Sequence, residues 1–252
     1  MTWTGMRTDT LSATTRGRSL PDGGCAPHPL DVGHVPYIAL TEGEKCLATP
    51  DLVVGRDGWI EYRQPGPWDR HPRYEVLLAR TVGTPSGRPD GNQLSPHRQF
   101  HCQDGLLCQG CAAPAARNPA SRPAVLWVLP ATNPDGSSAG FTGHSDMPPS
   151  CARCALHRCP VLKERGRRFL WVAECDAVAV WADLYLPPKG TRAPERLVPL
   201  TDERRLSAAV ATRLVRDLRE VTEADRGQIE ELAAAQSPAA VRGGSAQMAG
   251  WH

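Results

Sequence analysis

Apolar positions in this chain come in short clusters, and their spacing predicts strands for most of its length before turning helical near the end. Residues 1–33, rich in Thr, Ser, Gly, Asp and Pro without periodicity, predict a disordered arm. Short apolar or alternating runs follow at 36–40, 52–54, 59–62 and 76–79. Turn formers such as Gly55-Arg56-Asp57-Gly58 separate them, so 34–100 reads as a β-rich region. The polar stretch 83–96 reads as a loop leading to a first cysteine cluster. Ala124-Val125-Leu126-Trp127-Val128-Leu129 has the β-branched and aromatic content of a buried strand, stopped by Pro130. A Gly/Ser/Asn loop over 131–146 and helical residue types over 155–165 come next. Strands return at 169–172 and 178–186 and end at Pro187-Pro188-Lys189-Gly190. From 201 to 235 the apolar positions Leu206, Val210, Leu214, Leu218 and Val221 recur every three or four residues. They predict an amphipathic helix that starts near Thr201-Asp202-Glu203, with Gly227 as a candidate break. Residues 237–252 read as a disordered tail. The expected class is α+β, a small β-rich body with a C-terminal amphipathic helix.

Composition narrows the picture. A chain of 252 residues accommodates one domain of ordinary size plus tails, and its 23 glycines and 24 prolines imply long irregular segments. A net charge of +2 is too small for a general polyanion binder. Only Lys45, Lys163 and Lys189 are lysine among 29 basic residues, a skew that fits a GC-rich genome and weakens arginine content as a sign of nucleic-acid binding. No apolar run reaches the roughly 20 residues that span a bilayer, and the first residues lack the apolar core of a secretory signal. A cytoplasmic protein without a membrane partner is expected. In that compartment thiols stay reduced, so nine cysteines point to metal rather than disulfides.

The cysteines carry the clearest chemistry. Cys108-Gln109-Gly110-Cys111 and Cys151-Ala152-Arg153-Cys154 are Cys-x-x-Cys pairs separated by residues 112–150. Two thiolates at this spacing reach one tetrahedral ion, and two such pairs complete a four-sulfur shell. The expected cofactor is structural zinc held by Cys108, Cys111, Cys151 and Cys154, with no small-molecule cofactor. Cys102 and Cys159 are candidate extra ligands, and His101 and His157 lie close in sequence. Cys25, Cys46 and Cys175 read as unrelated thiols.

A first knuckle, a hairpin and a second knuckle that opens a short helix resembles a treble clef. Over about residues 105–165 the chain resembles the zinc-stabilised His-Asn-His (HNH) endonucleases, with 124–130 in place of their catalytic strand and CARCALHRCPVLK in place of their second knuckle and helix. The resemblance puts the general-base histidine on Trp127 and its acidic neighbour on Leu126, and neither side chain can move a proton. It also implies that the strand faces the second-knuckle helix, with Trp127 filling the place of a metal-bound phosphate as core. More broadly, a VPYI-like start at 35–38, LLCQGCAAPA at 106–115, VLWVLP at 125–130 and PPSCARCALHRCPVL at 148–162 resemble uncharacterised zinc-knuckle proteins of Streptomyces and related actinobacteria. That likeness brings no activity with it.

Arg158, Lys163, Arg165, Arg167 and Arg168 follow the second knuckle and form a candidate nucleic-acid contact, with Trp171 placed to stack on a base. The leading expectation is a non-catalytic zinc-binding protein that acts as a nucleic-acid or protein interaction module. The alternatives are an HNH-like metal-dependent endonuclease with altered catalytic residues around His144 and Asp146, and a Cys-x-x-Cys thiol redox module.

Overall fold

The computed structural model describes residues 36–47, 50–120, 124–132, 144, 145, 147, 149–156, 166–186 and 191–235. Along the chain run β1 (Ala39–Thr41), β2 (Glu44–Cys46), β3 (Leu52–Val54), β4 (Ile60–Tyr62), β5 (Leu77–Leu78), β6 (Thr81–Gly83) and β7 (Pro89–Leu94). Helix α1 (Pro96–Asp104), β8 (Val125–Pro130), β9 (His144–Ser145) and helix α2 (Ala152–Leu156) surround the two cysteine pairs. Then come β10 (Arg167–Leu186), β11 (Thr191–Pro199), α3 (Glu203–Leu206), β12 (Ala209–Glu223) and α4 (Arg226–Ala235). The expected arm, the tail, most of the loop at 131–146 and residues 157–165 of the segment expected to be helical lie outside the described residues.

The two runs expected as separate strands at 169–172 and 178–186 are one continuous strand, β10, and it organises the main sheet. One edge of β10 pairs antiparallel with β12 from Leu170↔Glu223 to Leu184↔Ala209. Two strands share its other edge, β8 along Arg167–Val172 and β11 along Ala179–Leu186. β12 is flanked in turn by β5, parallel at Val210 and Ala211, and by β9, antiparallel at Arg216 and Asp217. Three small pairs, β1–β7, β2–β6 and β3–β4, complete the strand content.

Two expectations are corrected. The helix predicted over 201–235 is largely strand β12, with helix only at α3 and α4, and Gly227 lies inside α4. Positions 206, 210, 214 and 218 stand four apart, a spacing close to one helical turn and also an even number of strand residues, so periodicity alone does not separate the two geometries. In the strand an irregularity near Thr212 leaves Val210 in a different apolar cluster from Ala209, Ala211 and Leu214. Val210, Thr212, Val215, Val221 and Thr222 are β-branched, and β10 offers the hydrogen-bonding partner that tips the segment to strand. The polar stretch at 83–96 is also more ordered than a loop, since it contains β7 and the first residue of α1. Helix α1 is mostly polar, which hides it from an apolar count. Its punctuation is visible, with Ser95 accepting from the Arg98 N–H, Pro96 in the first turn and Gly105 just past the end.

Both faces of β8 are buried. Leu126 and Val128 pack with Ala152 and Ala155 of α2, Trp171 and Ile229 of α4. Val125 and Trp127 point the other way, onto Leu170, Val172 and Leu218. A separate apolar cluster joins Val76, Leu78 and Phe100 to Val180, Val198, Leu206 and Leu214. Helix α1 docks on β12 through Gln99, whose side-chain amide donates to the Leu214 carbonyl and accepts from the Leu214 N–H, so the side chain imitates a strand neighbour.

Candidate metal centre

The first cysteine pair sits on a tight turn just past α1. The Ala112 N–H donates to the Cys108 carbonyl and the Cys108 N–H to the Ala113 carbonyl, both at 2.8 Å. Closing this turn puts Ala112 at φ +57°, a left-handed conformation that glycine adopts more cheaply. The Gly110 N–H points at the Cys108 sulfur, 3.3 Å away. The second pair opens α2, and there the Cys154 N–H points at the Cys151 sulfur across 3.4 Å. Backbone N–H groups aimed at sulfur favour the thiolate form.

Three backbone hydrogen bonds hold the two pairs against each other. The Ala116 N–H donates to the Ser150 carbonyl, the Ser150 N–H to the Leu126 carbonyl, and the Leu126 N–H to the Ala116 carbonyl. The segment after the first pair, strand β8 and the segment before the second pair thus form a closed ring of donors and acceptors. The N-terminal segment adds to it, with the Tyr37 and Ile38 N–H groups donating to the Gly110 and Gln109 carbonyls.

The result is that the sulfurs of Cys108, Cys111, Cys151 and Cys154 all lie within 4.8 Å of one another, with Cys108 and Cys151 buried. Cys111 and Cys151, one from each pair, bring their sulfurs to 3.6 Å. The cysteines among the described residues are free thiols. Without a cation the four cannot all ionise. Cys108 accepts from the thiols of Cys111, Cys151 and Cys154 and is held well below the ordinary thiol range. Cys151 and Cys154, donating to their neighbours and facing the charge on Cys108, are pushed far above it. One metal ion shared by four thiolates removes this conflict, so the cluster could hold a metal ion.

The other expected site residues fare differently. Cys102 is fully buried outside the four-sulfur cluster; its thiol donates to the Cys108 carbonyl, and burial pushes its pKa up to about 12. Cys159, His157, Arg158, Lys163, Arg165 and Asp146 lie outside the described residues, as does the His144 side chain. Arg167 donates to the Ala155 and Leu156 carbonyls at the end of α2, and Arg168 pairs with Glu223 across the ladder, so both serve the fold. Trp171 cannot stack on a base, because it is 3% exposed and its indole N–H donates to Gln228. Trp127 is fully buried as expected, but it faces away from α2, and Leu126 faces that helix instead. β8 pairs with β10 and β9 with β12, so these two strands do not form the hairpin expected between the knuckles.

No protein-family model matches the chain, and searches of the curated proteins and of the solved structures likewise found no match.

Proposed function

We propose that this is a zinc-binding protein in which Cys108, Cys111, Cys151 and Cys154 form a closed structural site, and that it works as an interaction module rather than an enzyme. The observation that carries the reading is the convergence of four sulfurs within 4.8 Å from two separate turns. In a tetrahedral zinc tetrathiolate with Zn–S near 2.3 Å, sulfurs stand about 3.8 Å apart, close to the 3.6 Å between Cys111 and Cys151. Four thiolates fill the coordination shell and leave no position for a water or substrate, which is the signature of a structural rather than a catalytic zinc. Tetrahedral four-sulfur sites also take iron, which metal analysis distinguishes.

The same observations argue against a nuclease built on β8. The positions where the HNH resemblance places the base and its acidic neighbour are Trp127 and Leu126. Both are fully buried, on opposite faces of the strand. A protein partner fits the surface better than nucleic acid, since Arg167 and Arg168 are engaged within the chain and Trp171 is core. Zinc in this account holds the two turns and β8 in register, and the surface they support makes the contact.

Cobalt reconstitution tests the site. Cobalt(II) bound to the full chain should give the visible bands of a tetrahedral tetrathiolate, lost in Cys108→Ser, and zinc should displace it. Octahedral cobalt spectra, or bands unchanged by Cys108→Ser, would remove the reading. A gel-shift series with single-stranded and duplex DNA and RNA separates the partner classes; binding that weakens steeply with salt would replace the protein partner with nucleic acid.

A further inference from the structure

The four sulfurs of the metal centre are not alike to a molecule arriving from solvent. Cys108 and Cys151 are buried, whereas Cys111 and Cys154 are partly exposed. The buried pair also has backbone support, since the Gly110 N–H points at the Cys108 sulfur and the Cys154 N–H at the Cys151 sulfur. Of the two partly exposed cysteines, Cys111 has its sulfur 3.6 Å from that of Cys151, which belongs to the other pair. An accessible sulfur in contact with a shielded one is the arrangement in which oxidation of the first is followed by attack of the second.

The peptide units between Cys108 and Cys111 have a second task. The Gln109 and Gly110 carbonyls accept from the Ile38 and Tyr37 N–H groups, at 3.3 and 3.1 Å, and so fasten the start of the N-terminal segment. Further along, that segment has other anchors. Arg98 donates to the Tyr37 and Ala39 carbonyls, and β1 pairs with β7. A shift of the first cysteine turn therefore frees the Tyr37 and Ile38 N–H groups and leaves β1 in place.

We propose that Cys111 is an oxidation site for hydroperoxides, and that its oxidation expels the metal by forming a Cys111–Cys151 disulfide. This rests on the zinc reading of the cluster. The Cys111 thiolate attacks the peroxide, so that a sulfur–oxygen bond forms as the oxygen–oxygen bond breaks, and the departing oxygen takes up a proton. The Cys151 thiolate then attacks the Cys111 sulfur; the disulfide forms, the sulfur–oxygen bond breaks, and hydroxide leaves with a second proton as water. Two thiolates, one hydroperoxide and two protons become one disulfide, one alcohol (or water) and one water, the sulfurs giving up two electrons. The two sulfurs close from 3.6 Å to about 2.05 Å. Cys108 and Cys154 alone cannot fill a tetrahedral shell, so the ion leaves. A hydroperoxide is small enough to meet a partly exposed sulfur that a bulky thiol titrant reaches only after the metal is gone.

The test takes the zinc-loaded full chain, its metal content measured first, and treats it with hydrogen peroxide. About one zinc per chain should pass to a chromogenic chelator as two thiols are lost, and a thiol reductant with fresh zinc should reverse both changes. Trypsin cuts after Arg98, Arg117 and Arg153, which puts Cys111, Cys151 and Cys154 on three fragments. The fragments carrying Cys111 and Cys151 should be found linked, with mass-spectrometric sequencing placing the bond on those two residues. Amide exchange should quicken at Tyr37 and Ile38 and stay slow in β1. Cys46→Ser combined with Cys175→Ser removes partly exposed thiols outside the cluster, and this variant should release zinc as the parent does. Zinc retained in peroxide, zinc released without a disulfide, a link between other cysteines, or loss of the response in that double variant would overturn the proposal and leave the zinc reading standing. A chain that holds no zinc before peroxide is added would remove both.

Discussion

Along β10 the chain is held by what it buries. Val172, Val180 and Ala182 are almost wholly buried, the ladder to β12 runs nearly the length of both strands, and apolar clusters lie on the sheet. Beside it, the two cysteine turns have little of this. Their positions depend on a ring of three backbone hydrogen bonds, a left-handed alanine and four sulfurs whose ionisation conflicts without a cation. On the proposed reading the sheet carries its own stability and the turns draw theirs from an ion. Strand β8 belongs to both regions, pairing with β10 along one edge and closing the ring with Ala116 and Ser150 along the other. The difference teaches that losing the metal and losing a core side chain should fail in separate places.

The largest expected effect is that of Cys151→Ser. Structural zinc binding in small metal domains amounts to roughly 10–16 kcal/mol of apparent binding energy coupled to folding. The variant should lose the metal and, in hydrogen exchange, lose amide protection over 106–118 and 149–156 while β10 and β12 keep theirs. Collapse of protection in both regions together would erase the distinction between them. Trp127→Ala comes next, at about 3–5 kcal/mol for truncating a buried tryptophan. Because β8 is shared, chemical denaturation of that variant should show one weakened transition, and metal should be released at lower denaturant. A variant as stable as the parent would place the ring outside the core.

Glu44 sharpens the comparison from the side of the N-terminal segment. Burial alone would raise its carboxyl pKa, but the Arg98 guanidinium and the Thr41 N–H and hydroxyl hold it below the usual glutamate range. A depressed folded value means the stabilisation is fully present above the unfolded glutamate pKa and is lost as pH falls through the folded one. Glu44→Gln should cost about 1.5–3 kcal/mol at neutral pH, the range for a hydrogen bond to a charged group. The gap between parent and variant should narrow below about pH 4, the neighbourhood of the ordinary glutamate value. A gap that stays constant with pH would mean that charge is not what holds the segment. The smallest effect is that of Ala112→Gly, which relieves the left-handed backbone and should stabilise the metal-loaded protein by about 1 kcal/mol or less, as read from the melting temperature.

The convergence of the four cysteines was legible because Cys-x-x-Cys spacing is itself geometric, and two such pairs suggest one four-sulfur cluster. Strand β8 was legible for a similar reason, since its β-branched and aromatic content has no competing reading. The C-terminal segment was not. Its apolar positions fall every four residues, a spacing that does not by itself tell helix from strand, and the choice was made by β10, a partner that periodicity does not contain. Helix α1 escaped notice because its buried side includes Gln99 and Gln103 as well as Phe100, and a hydrophobicity pattern counts the glutamines as solvent-facing. The direction of Trp127 was misjudged because one residue's offset along a strand reverses the face. The roles of Arg167 and Arg168 were hidden as well, since a run of cations in sequence does not show that one ends a helix and another pairs across a ladder.

The central claim is that four sulfurs share one metal ion, and metal content measured together with thiol titration on the native full chain tests it most directly. The account predicts one zinc per chain and four thiols that react only after a strong chelator removes it, with Cys151→Ser binding none. Protein purified without metal, or the four thiols reacting freely before chelation, would contradict it.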